Sequence, residues 1–357
     1  MGLFTRLFLG FCLCVGIHSM TMASEFTYQT FALSPTDAKS LNQTDGKTDS
    51  MLFVANSKNG ILYAGNRNLG RCVPLFENNS SETTALKNGT LQCKHIALKV
   101  IDGVIMGAIT ATKNLKLNLK LIDSMVLQQQ EVIYQYPAKS KQSKNASITT
   151  QFYCSKDSKT QKILQSMYKE SFDCKNAKEI FLKNAQDSMR NYFQEMLQAN
   201  NQENAIEEYL QTSPFEQYDR DSLYYFNNDL LVFLKSNYLY TGGAHGISSE
   251  WGIIVSKENG IVPLNARIDF DNAELKGLLW QEYQNYLKSV ETEAFVDFQS
   301  FKVSEAILID YDSFVFIYQP YEIMPYAYGI IELRIPLEQM EKIGNFDKTP
   351  FKSLFIP

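Results

Sequence analysis

Histidine is scarce in this chain: three among 357 residues, at His18, His95 and His245. A hydrolytic zinc centre usually takes two or three histidines beside a carboxylate, so metal-dependent deacetylation is disfavoured and neither a metal nor a cofactor is expected. A basic excess is also missing. With 34 Lys and Arg against 39 Asp and Glu, the formal charge is −5 and the pI near 5.4. That leaves no cationic footprint for a nucleic-acid backbone and argues against DNA or RNA as a partner. The sequence holds no G-x-S-x-G elbow, Walker loop, G-x-G-x-x-G or H-E-x-x-H, which removes the commonest hydrolase and nucleotide signatures. It has no internal repeat. Beyond the first residues, no apolar run approaches the roughly 20 residues of a membrane span.

What is present begins with an export signal. Arg6 precedes an apolar run from Leu7 to Ile17, and the small residues Thr21 and Ala23 offer a cleavage site before Ser24. Residues 1–23 are therefore expected to be removed. Their loss takes away one Arg and no acid, leaving 33 basic against 39 acidic side chains, or −6. Cys72, Cys93, Cys154 and Cys174 remain, an even number suited to an oxidising compartment. Four cysteines allow three pairings. The local one, Cys72–Cys93 with Cys154–Cys174, closes two loops of about 20 residues, each contributing on the order of 3 kcal/mol in the chain-entropy model. None has a C-x-x-C partner, which counts against a zinc site.

Along the rest of the chain, hydrophobic periodicity predicts α+β architecture with antiparallel sheets. Residues 25–95 read as a β-rich region stapled by Cys72–Cys93. Apolar runs at Met51–Ala55 and Ile61–Ala64 are punctuated there by Asn59-Gly60 and Asn88-Gly89. Apolar stretches follow at Ile96–Thr110 and Leu115–Leu127, then a polar, basic loop at 138–150. The 3.6-residue period predicts a helix over 176–199, burying Ile180, Phe181, Ala185, Met189, Tyr192, Phe193, Met196 and Leu197, and another over 272–288 with Leu275, Leu278, Leu279 and Tyr283 inward. Strands are expected at 222–226, 229–239, 251–256, 305–310, 313–319 and 330–335. The turn Lys257-Glu258-Asn259-Gly260 marks a hairpin.

Two segments stand out as candidate binding sites. In Tyr240-Thr241-Gly242-Gly243-Ala244-His245-Gly246, three glycines in five residues imply positive φ or a close backbone approach. Exposed amides there form an anion nest beside His245, or else the glycines only turn the chain. The second, Pro320-Tyr321-Glu322-Ile323-Met324-Pro325-Tyr326-Ala327-Tyr328-Gly329, is a rigid aromatic corner suited to recognition or to core packing. Glu322 is expected to accept hydrogen bonds from the Gly242–Gly246 turn or from His245, joining the two segments. The ligand-binding candidates are thus Tyr240, Thr241, Gly242, Gly243, His245, Tyr321, Glu322 and Tyr326; no residue is assigned as catalytic. Asp310, Asp312 and Glu322 supply carboxylates for glycoside hydrolysis only as abundant acids do.

The YTGGAHG turn at 240–246, the hairpin and helix at 251–288, and PYEIMPYAYGI at 320–330 followed by Arg334-Ile335-Pro336 resemble the extracellular region of RsiV-like proteins over roughly residues 95–340. That family includes lysozyme-sensing anti-sigma factors and modules attached to peptidoglycan deacetylases. After the export signal 1–23 and the β-rich region 24–95, which has no counterpart in that family, the resemblance implies an N-terminal RsiV-like part 96–250 and a C-terminal part 251–357, the last similar to a subdomain of the Hsp70 ATPase. It also implies a periplasmic or secreted, non-enzymatic module of the cell envelope binding lysozyme or peptidoglycan fragments. Only six residues precede the apolar run, too few for a sigma-binding segment, and no deacetylase domain is attached. Two alternatives stay open: a cell-envelope hydrolase acting through Glu322 or His245, and a secreted host-interaction protein using residues 25–95.

Overall fold

A computed structural model describes residues 24–41, 51–74, 85–110, 114–136, 146–168, 173–200, 205–346 and 350–355. The expected export signal, 1–23, lies outside them, as does most of the loop at 138–150. The first eight strands are β1 (Ser24–Leu33), β2 (Met51–Ser57), β3 (Gly60–Asn66), β4 (Gly70–Pro74), β5 (Gly89–Gln92), β6 (Ala97–Ile101), β7 (Val104–Ile109) and β8 (Asn114–Lys116), with helix α1 (Pro35–Leu41) after β1. The stretch Ile96–Thr110 is therefore two strands, turned at Asp102-Gly103. Next come β9 (Leu119–Gln135), β10 (Ala146–Cys154), α2 (Ser158–Tyr168), α3 (Ala177–Asn200) and α4 (Ala205–Thr212). Residues 146–150, expected in a loop, begin β10 instead. The second half holds β11 (Phe215–Phe226), β12 (Leu230–Tyr240), β13 (Ile247–Ser256), β14 (Gly260–Ile261), α5 (Ala273–Ser289), β15 (Ile307–Ile309), β16 (Ser313–Tyr318), β17 (Ile331–Pro336), α6 (Leu337–Ile343) and α7 (Lys352–Phe355). The fold is α+β with predominantly antiparallel sheets.

One sheet takes fourteen strands in the order β14-β13-β12-β11-β10-β9-β1-β2-β3-β4-β5-β6-β7-β8. Only Leu117 and Asn118 separate β8, at one end, from β9, on the far side of β1. A flat sheet would hold β8 and β9 about 38 Å apart at the usual strand spacing, a gap that two residues cannot cross. The β1–β8 segment must therefore curl back on itself. Leu52, Ile61, Leu91 and Leu98 are fully buried in the core it encloses. The Cys72–Cys93 disulfide joins β4 to the end of β5 inside this unit, and Cys154–Cys174 ties β10 to the approach of α3. The local pairing is the one formed.

Beyond β9 the sheet opens. β10 and β11 run parallel, which requires a long crossover, and α2, α3 and α4 supply it. These helices cover one sheet face: Phe181 stacks on Phe152, and Phe193 packs near Phe215. In α3, Ala185, Met189 and Phe193 are buried as the periodicity predicts, while Ile180, Phe181 and Tyr192 are half-buried. The side chains of Met196 and Leu197 lie outside the described residues. A second, three-stranded sheet, β15-β16-β17, packs with α5 against β12 and β13. Leu275, Leu279, Tyr283 and Leu287 of α5 are buried there, each stabilising the fold by about 1.5–3 kcal/mol. Asn272 caps α5 by accepting from the Leu275 amide at 3.0 Å.

A buried ionic cluster fastens the curled unit to the second sheet. Arg71 of β4 pairs with Asp310 at 3.1 Å, donates to the Tyr224 carbonyl, and lies over the rings of Tyr63 and Tyr224 at 4.4 and 4.3 Å. Arg334 of β17 holds the other side of Asp310 at 3.0 Å and also donates to Glu332. Burial alone would raise the Asp310 carboxyl, but the two guanidinium groups outweigh it and hold it below the ordinary range.

Candidate functional site

Side chains at i and i+2 of a strand share a face, so the strand register fixes which residues line the sheet surface left uncovered by helices. Glu131, Gln151, Arg220, Ser236 and Glu250 stand in one row across β9, β10, β11, β12 and β13. The adjacent row is Ile133, Thr149, Tyr218, Tyr238 and Ser248. All of them but Ile133 line an open cleft of about 360 Å³. Gln151 donates to Glu131 at 2.8 Å and Ser236 to Glu250 at 3.0 Å. Arg220 is exposed and, among the described residues, has no carboxylate within ion-pair distance. Tyr218 is 47% exposed, with its ring 6.1 Å from that of Tyr238. Hydrogen-bonding groups of both polarities thus lie beside an open aromatic face. Burial, then Glu332, pushes the Glu250 carboxyl up, while the Ser236 hydroxyl and Arg220 act the other way.

Both segments singled out in the sequence frame one end of this cleft. The β12–β13 connection passes through Gly242 and Gly243, each at positive φ (97° and 92°), a region other residues enter at a cost. Tyr209 of α4 donates to the Thr241 carbonyl at 2.6 Å, and Tyr240 donates to the Gly243 carbonyl at 2.9 Å. Gly246 packs so closely on the Tyr238 ring that a Cβ there would fall 2.4 Å from it. Its carbonyl accepts from the Tyr326 hydroxyl at 2.6 Å, and the His245 ring stacks on Tyr326 at 3.7 Å and 18°. His245 Nδ1 lies 3.1 Å from the same carbonyl.

The two segments are therefore joined, but through Tyr326. The expected role of Glu322 is corrected: its carboxylate accepts from the Gln319 amide at 2.7 Å, closing its own turn. The tight turn after Pro320 points Glu322 back along the chain. Gln319 makes a further link, because among the described residues the outer edge of β13 has no strand partner at Glu250. The Gln319 amide oxygen accepts from the Glu250 N–H at 2.9 Å, and its nitrogen donates to the Glu250 carbonyl at 2.6 Å. Tyr321 stands outside this mesh, 57% exposed at φ 75°, with its ring 5.8 Å from Tyr326.

The cleft residues Glu131, Gln151, Tyr218, Arg220 and Glu250 were not among the sequence candidates. Their signal is weak: a run of alternating polar residues such as Phe215–Ser222 whose two faces are both hydrophilic. Asp310, offered as a hydrolytic acid, is enclosed by two arginines and 1% exposed. Among the described residues no group of three His, Cys, Asp or Glu is placed to hold a metal, and no helix is long and apolar enough to cross a membrane.

Residues 258–338, from the β13–β14 turn through β17, match a family model described as a protein of unknown function, DUF3298. That segment contains Tyr321, Glu322 and Tyr326 but not the β9–β13 face. A solved member of the DUF3298 family from Bacteroides fragilis is similar at a TM-score of 0.47 and 20% identity, over 64% of this chain and 97% of that one. A DUF3298 family protein from Pseudomonas aeruginosa is similar at a TM-score of 0.43 and 16% identity, over 65% of this chain and 96% of that one. No curated protein matches the sequence.

Proposed function

We propose that this chain is an exported, non-enzymatic binding module of the cell envelope whose β9–β13 face takes a cell-wall glycan fragment. The observation that carries the reading is Arg220, without an ion-pair partner among the described residues, between Gln151 and Ser236 and beside the exposed ring of Tyr218. A sugar offers hydroxyls that both donate and accept, together with an apolar C–H face, and the cleft offers a complement to each. Two disulfides support an oxidising compartment. The resemblance to RsiV-like modules supports a cell-wall role. Binding is favoured over hydrolysis because Glu131 and Glu250 end a row of five strands, about 19 Å apart at ordinary spacing, whereas glycosidase carboxyl pairs lie within about 10 Å.

Calorimetric titration of residues 24–357 with a peptidoglycan disaccharide or tetrasaccharide tests this. Saturable binding is expected, weakened about tenfold by Arg220→Ala through loss of a charged hydrogen bond. Tyr218→Ala is expected to weaken it as well. Absence of saturable binding, or binding indifferent to both substitutions, defeats the glycan reading.

A second reading, recognition of a lysozyme-type protein at the aromatic corner, draws on Tyr321 and on Ile247, 60% exposed. The charge of −6 after loss of residues 1–23 favours a cationic partner. Titration with hen lysozyme separates the two: Tyr321→Ala weakens that complex and leaves glycan binding in place.

A further inference from the structure

The hairpin turn at Lys257–Gly260 is absorbed by neither reading, and it borders a second cleft. This one, about 500 Å³ in volume, lies between the first turns of α2 and the β13–β14 turn, with Ser158, Lys159 and Lys162 on one wall and Ser256 and Lys257 on the other. We infer that it binds a phosphate-bearing ligand.

Three lysines, Lys159, Lys162 and Lys257, line it, and among the described residues none of them has a carboxylate within ion-pair distance. The acids nearby are differently engaged. Asp157 caps α2 by accepting from the Thr160 amide at 2.7 Å, and Glu258, on the rim, is exposed. Lys257 is half-buried; burial disfavours its ammonium form, and although the charge of Lys159 adds to that, Asp123 acts the other way more strongly and Asp229 joins it. An anion placed in the cleft offsets the cost of burying that ammonium. The hairpin wall is held in place before any ligand arrives, because the Lys257 amide donates to the Asp229 carbonyl at 2.8 Å. Ser256 Oγ accepts from the amides of Glu258 and Asn259, both at 3.2 Å, which leaves its own proton without a protein acceptor among the described residues.

The donor set selects the anion. Carboxylates are matched best by the planar fork of arginine, and none lines this cleft. Separate lysines act as point charges, the arrangement suited to the spread oxygens of a phosphate group. The open cleft leaves room for a phosphate carried on a soluble phosphoester or on a lipid headgroup.

Calorimetry of residues 24–357 with pyrophosphate, and co-sedimentation with mixed phosphatidylcholine–phosphatidylglycerol vesicles, cover the two sources. Saturable pyrophosphate binding weakened about tenfold by Lys162→Gln supports the inference with a soluble ligand. Vesicle binding that depends on phosphatidylglycerol and on Lys162 supports it with a headgroup. Lys162 is exposed, so the folded state survives its replacement, and Lys257→Gln provides a second, independent probe. No saturable binding in either arm up to about 10 mM phosphate, or binding unchanged in both variants, overturns it. The glycan titration is unaffected by either substitution, so the two readings fail separately.

Discussion

Two arginines on strands of the same sheet have opposite surroundings. Arg71 is enclosed: tyrosine rings lie over its guanidinium, the Tyr224 carbonyl and Asp310 accept from it, and Asp310 has a second arginine behind it. Arg220 stands in an exposed row, near Glu250 electrostatically but without an ion-pair partner among the described residues. Desolvated charge is tolerable only when it is fully matched, and the first cluster meets that condition. A solvated arginine in a partly matched row keeps its hydrogen bonds available for something else. The contrast separates residues that hold the molecule together from residues placed to meet a ligand.

The largest test of that contrast is Arg71→Ala. It strips one guanidinium from a carboxylate that is 1% exposed, and is expected to destabilise the protein by about 3 kcal/mol in urea unfolding. Arg220→Ala should leave the unfolding midpoint nearly unchanged. The pH dependence sharpens the point. Because the folded state holds Asp310 below its ordinary 3.8, its contribution is present above that pH and lost as pH falls through the folded value. In Arg71→Ala this acid-limb loss should shrink. Equal destabilisation by the two alanine variants would erase the distinction drawn between them.

How far the sequence revealed this arrangement follows from the same physics. Helix α3, helix α5 and strands β12 and β15–β17 were legible because their buried faces are apolar at the right period. The first halves of β11 and β13, and all of β10, were not. On β11, Gln217 and Asp219 occupy the opposite face from Tyr218 and Arg220, so both faces are polar and the two-residue alternation disappears. That region is the cleft, which is why the candidate site was read only at its rim. The pairing of the two rim segments was legible as a juxtaposition, yet acid–histidine chemistry suggested Glu322 where a stacked tyrosine makes the contact. Arg71 and Asp310, 239 residues apart, leave no local trace at all.

A smaller effect is expected at the rim. Tyr326→Phe keeps the ring over His245 but removes the hydroxyl that donates to the Gly246 carbonyl. The expected cost is about 1 kcal/mol in urea unfolding, the net worth of one neutral hydrogen bond. Tyr326→Ala removes the stacking as well and should cost more. If Tyr326→Phe were silent while Glu322→Gln were not, the junction would run through Glu322 after all.

The smallest effect carries the sharpest sign. Glu250 is raised above its ordinary 4.5 by burial and by Glu332, so the folded state binds its proton more tightly than the unfolded chain does. Folding stability therefore falls as pH rises through the interval above 4.5, the reverse of the Asp310 limb. Glu250→Gln removes that charge and keeps an oxygen to accept from Ser236, so the variant should melt above the parent at neutral pH and converge with it below pH 4.5. A glycan held by hydrogen bonds to this carboxylate would be bound less tightly by the same variant. Stability gained and affinity lost at one position is the signature of a binding residue, since a side chain serving only the fold is not improved by its own removal. A variant that lost both stability and affinity would return Glu250 to the structural side of the comparison.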